Sequence, residues 1–403
     1  STLPNRLINT KGGWVQYAET FTIPMDAGIK HIELYNRVTG KGTAYFDEVS
    51  MYLVEDVPFL YFYPEEVFYY TDLEQGNVKA YVQKPAMKRA EGGTIQFSIL
   101  DGETVLASSS AYEATTEPIN YSFDLSVLPE ERTAYTLVCE LKSSTGAVLE
   151  TKTQEIYKYP RPTMMAKDGT ILVDGKPFMP KPMYHILAES FETVKLAGYN
   201  AGQGTAGSVE TMRAKLDAAQ ESGLMYMVVL YENGLPASHP DNIQHTIDVI
   251  TAFKDHPAVL CWMVCDEPTS NFPGREDYWL DAYKLIRSLD DVHPVYMCQA
   301  GTLYEDVKMI SKYVDVLTID PYTLYKGKRA DYVTTFTDTC KEATGDRKPV
   351  WTILQVFQTN DGVQPDIHHY RNTYYRALFS GAQGIGAYSF RDAMKNPAGA
   401  LTT

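Results

Sequence analysis

Apolar and polar positions follow two different rhythms along this chain, and the change falls near residue 160. Before it, apolar residues alternate with polar ones in short runs, at 76–82, 94–100, 103–106, 119–125 and 135–141, with turns at Asp101-Gly102 and Ser144-Thr145-Gly146. Strict alternation predicts strands with one buried face, and about a hundred residues of closely spaced strands suit an immunoglobulin-like sandwich over 57–160. Residues 1–56 read as a further all-β stretch, with strands at 14–17, 19–23, 31–35 and 44–54 and glycine-rich turns between them.

After Tyr159-Pro-Arg-Pro162, an extended linker, the runs become fully apolar and alternate with helical periodicity. A small hairpin is bracketed by Asp168-Gly169 and Asp174-Gly175. Strands then follow at 178–185, 199–203, 224–231, 259–265, 294–298, 314–319, 349–355 and 384–390. Amphipathic stretches at 209–221, 242–254, 277–289 and 332–343 fall between them. Uninterrupted apolar strands alternating with helices predict a parallel sheet, and eight such units predict a barrel. The expected architecture is multidomain: all-β sandwich domains (1–56 and 57–160) followed by an α/β (β/α)8 TIM barrel over 161–403. An open doubly wound sheet fits less well, because Gly202-Gln-Gly204 lacks the rest of a phosphate-binding loop.

The clearest segment is His256–Pro268. His-Pro opens it, eight residues without charge follow (Ala258 to Cys265), and it breaks off in Asp266-Glu267-Pro268. In parallel barrels the carboxyl ends of the strands carry the chemistry, so this acid pair is the leading catalytic candidate; a capping Asp and a solvated Glu are the plainer reading. Glu267 needs a raised pKa to donate a proton near neutrality, and the adjacent Asp266 would crowd it with like charge. Other acids placed at the same rim are Glu232 after strand three, Asp320 after strand six and Asp392 after strand eight.

Composition narrows the function. A net charge of −15 argues against nucleic acid as partner. No run reaches the length of a membrane span. The five cysteines lack metal-ligand spacing and read as small core residues. The chain opens on Ser1 and ends soon after the eighth strand, so both ends read as cuts in a longer polypeptide.

The ordered segments resemble the (β/α)8 glycoside hydrolases, in particular the clan of retaining glycosidases. Ile171-Leu-Val-Asp-Gly-Lys-Pro-Phe-Met-Pro180 is similar to the hairpin leading into their first strand. Trp262-x-x-x-Asp266-Glu267-Pro268 is similar to the end of the fourth, and Val314–Tyr322, Lys348–Gln355 and Ser380–Tyr388 to the sixth, seventh and eighth. The resemblance implies a carbohydrate substrate, no catalytic cofactor, and Glu267 as the acid/base. It departs at two positions. Strand seven, where the clan carries its nucleophile, ends in Gln355-Val-Phe-Gln358, and Asp266 stands where the clan usually has Asn. A glutamine amide cannot form a glycosyl ester, so an inverting route or an unusual second carboxylate, with Asp320 a candidate, is expected in place of standard retention.

Tyr184, His185, Glu232, Tyr322, Gln355, Phe357, Gln358 and Tyr388 are expected to contact the sugar, by stacking or by hydrogen bonds to its hydroxyls. Trp262, in mid-strand, is expected in the core. The run ending in Tyr45-Phe-Asp47-Glu-Val resembles the end of a jelly-roll carbohydrate-binding module, which implies a structural calcium at Asp47. A secreted or cell-surface location follows from this modular reading. A metal-dependent hydrolase is disfavoured, because His368-His369 sits in a helical stretch without a supporting acid cluster. The rival to hydrolysis is an inactive barrel that binds glycan or serves as a structural module. The sugar, the linkage and the oligomeric state are not fixed by the sequence.

Overall fold

A computed structural model describes residues 7–11, 14–17, 59–231, 235–301, 303–359 and 362–390. The chain divides into two compact units, which part between Tyr159 and Pro160. Within the first 56 residues the description is limited to one antiparallel pair, Leu7–Lys11 with Trp14–Tyr17.

The first unit holds two antiparallel-rich sheets around one core. One sheet orders Phe68–Tyr70, Val148–Tyr159, Tyr135–Lys142, Thr94–Asp101 and Thr104–Ser108, with Tyr112–Glu113 also on Thr94–Asp101; the other orders Leu60–Pro64, Gln75–Val82 and Ile119–Asp124. The alternation read from the sequence is the burial pattern: Leu137, Cys139 and Leu141 are buried along one strand and Ile95, Phe97 and Ile99 along its neighbour, with Val78, Ala80, Val82 and Phe123 supplied by the facing sheet. The Tyr135 hydroxyl accepts from the Glu130 amide at 2.8 Å, which ties the start of its strand to the chain before it.

The second unit is a closed barrel of eight parallel strands: Pro182–Tyr184, Ala201–Thr205, Met225–Val229, Val259–Asp266, Val295–Gln299, Val316–Ile319, Val350–Gln355 and Gly384–Tyr388. All eight lie where the apolar runs place them. Phe178 is the exception at an edge, since it belongs to the hairpin Ile171–Val173/Lys176–Phe178 and the first barrel strand starts at Pro182. Helices Val209–Glu221, Ile243–Phe253, Glu276–Leu289 and Tyr332–Thr344 pack outside. The first of them shows why the periodicity is legible. Ser208 caps it by accepting the Thr211 amide, and Met212, Leu216 and Ala219 form its buried stripe. No helix among the described residues is long and apolar enough to cross a membrane. All five cysteines are buried and unpaired.

The barrel closes where strand eight meets strand one, through the single pair Met183–Ala387. Gly386 permits this close approach: a Cβ there would lie 2.5 Å from the Pro182 carbonyl oxygen. The hairpin lies at the amino ends of the strands. Gln383 donates to the Asp168 carbonyl at 3.0 Å, and the Thr163 and Met164 amides donate to the carbonyls of Asp291 and Val292.

That end is also tied by a buried polar knot. Asp290, 4% exposed, accepts from Trp262 Nε1 at 2.7 Å, from the Val292 amide at 2.7 Å and from the His293 amide at 3.2 Å, and pairs with His293 Nδ1 at 2.7 Å. Burial alone would raise this carboxyl's pKa; its bonds to His293, Trp262 and Val292 outweigh that and leave it below the ordinary carboxylate range. Trp262 is therefore a core residue. Replacing Asp290 by Ala strands the indole N–H and the imidazole in the core. The expected result is a loss of about 3 kcal/mol from the barrel's unfolding free energy, read by urea denaturation at pH 7. The folded-state pKa is depressed, so the wild type's advantage should be present above the unfolded carboxyl value and fade as pH falls through the folded one.

Candidate active site

Strand four carries the acid pair to the carboxyl end of the barrel. Seven residues from Val259 to Cys265 are buried, and Asp266 and Glu267 emerge half-buried. Register fixes their neighbours. Asp266 lies opposite Cys298 on strand five, and the Glu267 amide donates to the Cys298 carbonyl at 2.8 Å. Strand five in turn aligns Gln299 with Ile319 of strand six, so Asp320 follows at nearly the same height. Strands lie about 4.8 Å apart, which puts the backbones of Glu267 and Asp320 roughly 10 Å apart.

Glu267 adopts a left-handed backbone, φ 42° and ψ 58°, which few non-glycine residues do. The chain turns there into the short helix Pro268–Asn271. Asn271 Nδ2 donates to the Asp266 carbonyl at 2.8 Å, and Gln299 Nε2 donates to Thr269 Oγ1 at 2.7 Å. These bonds hold the turn that presents Glu267. His185, at the end of strand one, is also left-handed, with φ 55°.

The electrostatics of the mouth are set by crowding. Burial first, then the charge of Glu267, pushes the Asp266 carboxyl up to about 7. Asp320 is 3% exposed, and its Oδ1 has no hydrogen-bond partner among the described residues. Burial, with the charges of Glu267 and Asp266, raises its pKa well above the usual range, opposed by the ammonium of Lys326. The charge of Asp266 is also felt by Tyr184, Tyr231, Cys298 and Tyr322, on or following strands one, three, five and six.

An aromatic rim completes the mouth. Tyr322 and Phe357 meet edge to face with ring centroids 5.1 Å apart, and Tyr388 lies 5.7 Å from each. Tyr184 and His185 pack on Tyr388 at 6.2 Å and 4.9 Å. The Tyr184 ring is buried, whereas His185, Tyr322, Phe357 and Tyr388 are half-buried. Of the residues singled out in the sequence, the fold thus brings Asp266, Glu267, Asp320, Tyr184, His185, Tyr322, Phe357 and Tyr388 to one place.

The two glutamines, expected to contact the sugar, already make hydrogen bonds within the fold. Gln355 does reach this end of the barrel, but its Oε1 accepts the Tyr325 amide at 3.0 Å and its Nε2 donates to the Phe357 carbonyl at 3.2 Å. With 5% exposure, its amide braces two loops, using one of its two N–H donors and one acceptor position. Gln358 Nε2 donates to the Gly362 carbonyl at 2.8 Å within its own loop. Glu232, Asp392 and Asp47 lie outside the described residues. Among the described residues no group of three or more His, Cys, Asp and Glu side chains is placed to hold a metal ion. His369 instead pairs with Thr323 Oγ1 at 2.8 Å.

Two participants escape a reading of the sequence. Tyr231 follows strand three, and burial first, then the charge of Asp266, raises its phenol. Its place directly after an apolar run was the available signal. Lys326 donates to the Ala300 carbonyl at 2.6 Å and tempers the shift at Asp320; nothing in Thr323-Leu-Tyr-Lys-Gly327 announces it.

Residues 207–360, from the approach to strand three through the end of strand seven, match the family described as glycosyl hydrolases family 2, TIM barrel domain. A β-glucuronidase of Streptococcus agalactiae serotype V is 31% identical over 87 residues, which cover 21% of this chain and 14% of that protein. Among solved structures, the β-D-glucuronidase of Dictyoglomus thermophilum aligns with 82% of this chain and 61% of its own at 15% identity and a TM-score of 0.41. A GH2 β-galacturonidase from Eisenbergiella tayi bound to galacturonate aligns with 82% and 64% at 17% identity and a TM-score of 0.45. The chain spans less than two thirds of the length of each of these proteins. Its second unit is a glycoside hydrolase-like (β/α)8 barrel.

The raised pKa of Asp266 has a testable sign. Its folded value exceeds its unfolded one, so its contribution favours folding at low pH and is lost as pH rises from about 4 to 7. Asp266→Asn should therefore stabilise the barrel relative to wild type at pH 8, and the gain should shrink toward pH 4. Urea midpoints at the two pH values check this; a gain larger at pH 4 would contradict the assignment.

Proposed function

We propose that the chain is a glycoside hydrolase whose general acid is Glu267. The observation that carries this reading is the acid pair at the carboxyl end of strand four. It is presented by a strained, braced turn into a mouth ringed by aromatic side chains. A proton donor must reach the glycosidic oxygen while a second group handles the charge that develops at C1. In this reading Glu267 takes the first task, and Asp266 and Asp320 are the described acids whose pKa its charge raises. The aromatic rim suits the C–H faces of a pyranose ring. The family match over 207–360 supports the same reaction class, since it spans the strands that carry all three acids.

A second reading draws on Gln355. Strand seven ends in Gln355-Val-Phe-Gln358 and carries no carboxylate there, which is what a barrel retained only for glycan binding would look like. The acid pair, with the strain kept at Glu267, favours the enzyme.

Glu267→Gln decides between the two. It keeps shape and removes the transferable proton. On para-nitrophenyl glycosides and natural disaccharides, kcat should fall by about 100- to 10,000-fold. The loss should be larger for the disaccharides, whose leaving groups need protonation more. Wild-type binding to immobilised glycans with no turnover of any substrate would support the binding module instead.

A further inference from the structure

We infer that Tyr325 and Phe357, spaced by the buried amide of Gln355, form an outer sugar subsite beside the mouth, and that the substrate is an oligosaccharide chain whose second ring binds there. This rests on the glycoside-directed reading above and specifies its substrate class.

The first support is the path of the aromatic side chains. The Tyr184 ring is buried, at 3% exposure. Tyr388 packs on it with ring centroids 6.2 Å apart, and Phe357 lies 5.7 Å from Tyr388. Tyr325 extends the row, 5.8 Å from Phe357, and is 56% exposed. Burial therefore falls from the strand ends to open solvent along one connected set of rings. A solitary exposed aromatic is ordinary, but one that continues a row at a barrel mouth enlarges the same apolar surface. The planes of Tyr325 and Phe357 meet at 62°, so the two rings make a corner, and a sugar resting on one face sets its edge against the other. The step between them is close to the repeat of a β-linked pyranose chain. A chain with one ring at the inner aromatics reaches Tyr325 with the next.

The second support is that one side chain sets the spacing of both rings. Gln355 Oε1 accepts the Tyr325 amide at 3.0 Å, and its Nε2 donates to the Phe357 carbonyl at 3.2 Å. Gln355 ends strand seven, so both rings are registered to the barrel wall. An amide suits this task because it carries an acceptor and a donor on one planar group. Gln355 acts here through the rings, as a positioning residue.

The third support is the bracing of the loop that carries Tyr325. Lys326 Nζ donates to the Ala300 carbonyl at 2.6 Å, just past strand five. Thr323 Oγ1 pairs at 2.8 Å with His369 Nε2, on the helix Ile367–Phe379. The Lys328 amide closes the loop on the Thr323 carbonyl at 2.7 Å. A backbone tied to three elements does not have to be ordered when the ligand arrives, and stacking then appears as affinity.

The test uses the full chain with β-1,4-linked gluco-, xylo-, manno- and galacto-oligosaccharides of two to five residues, beside the para-nitrophenyl and methyl β-glycosides of the same sugars. In one series kcat/KM should rise with chain length. Tyr325→Ala should lower the ratio of kcat/KM for the best oligosaccharide to that for its para-nitrophenyl glycoside by about 10-fold, mainly through KM. Tyr325→Phe keeps the ring and should keep the ratio. Gln355→Met removes both bonds at similar volume and should lower the same ratio. The double variant Tyr325→Ala/Gln355→Met should show no further loss in it, since the two act as a unit; a merely structural Gln355 would instead lower kcat on every substrate alike.

A ratio unchanged in Tyr325→Ala, or turnover without preference for longer chains, would overturn the subsite and leave the hydrolase reading standing. A preference for para-nitrophenyl over methyl glycosides that Tyr325→Ala abolishes, with no effect of chain length, would overturn the second sugar in favour of an aryl leaving group. Calorimetric titration of the Glu267→Gln variant with the same oligosaccharides separates the two readings. Affinity that grows with chain length and loses that growth in Tyr325→Ala, with no turnover by the wild type, would uphold the subsite and overturn the hydrolase. Neither turnover nor binding of any of these glycans would overturn both.

Discussion

Burial makes carboxyl charge costly at the mouth of this barrel, where the pKa values of Asp266 and Asp320 are both raised, and the rest of the mouth is arranged around that constraint. Each charge placed there raises the cost of the next. Asp320, the most buried, carries the largest burden, and Lys326 relieves part of it. Asp266 sits at the balance point near neutrality, where substrate or pH can shift its state. In that setting a hydrogen-bond donor arriving with the substrate would be bound for an electrostatic reason as much as a geometric one.

The two ends of the barrel divide the work. At the amino ends, polar groups are consumed by one another: Asp290 satisfies an indole, an imidazole and two amides, and Arg287 donates to the Pro160 carbonyl at 2.7 Å. At the carboxyl ends, strong acceptors and hydroxyls stay unpartnered, among them Asp320 Oδ1 and the Tyr184 hydroxyl. Buried polar groups are costly when unmatched; the amino ends are not wholly free of them, since Trp351 Nε1 at the start of strand seven also lacks a partner. Gln355 shows the boundary between these regimes. It stands at the functional end but has been drawn into the scaffold.

The sequence carries more of this architecture than of its chemistry. Barrel strands are buried on both faces, so each appears as an unbroken apolar run whose ends can be read, and caps such as Ser208 mark where helices begin. The acid pair was legible because a charge at the end of such a run is out of character with it. Other features depend on contacts between distant segments and leave no local trace. The bond between the Tyr325 amide and Gln355 joins residues thirty positions apart, and a glutamine free to bind sugar looks the same in sequence as one already bound. Lys326 is likewise an ordinary loop lysine until the fold sets it beside Asp320. The shift of Phe178 from barrel strand to hairpin has a simpler origin: the turn at Asp174-Gly175 claims three residues on each side for its own ladder.

The left-handed backbone at Glu267 has an evolutionary consequence. A side chain held at φ 42° costs about 1–2 kcal/mol that glycine would not. Random drift under selection for folding alone would therefore erode this position early, and toward glycine. A glutamate kept there bears a standing penalty in stability, so in a set of related barrels the residue at this turn would act as a clock of disuse. Lineages that keep the acid would still be using it, and lineages that relax to glycine would have let the chemistry go while the barrel grew more stable.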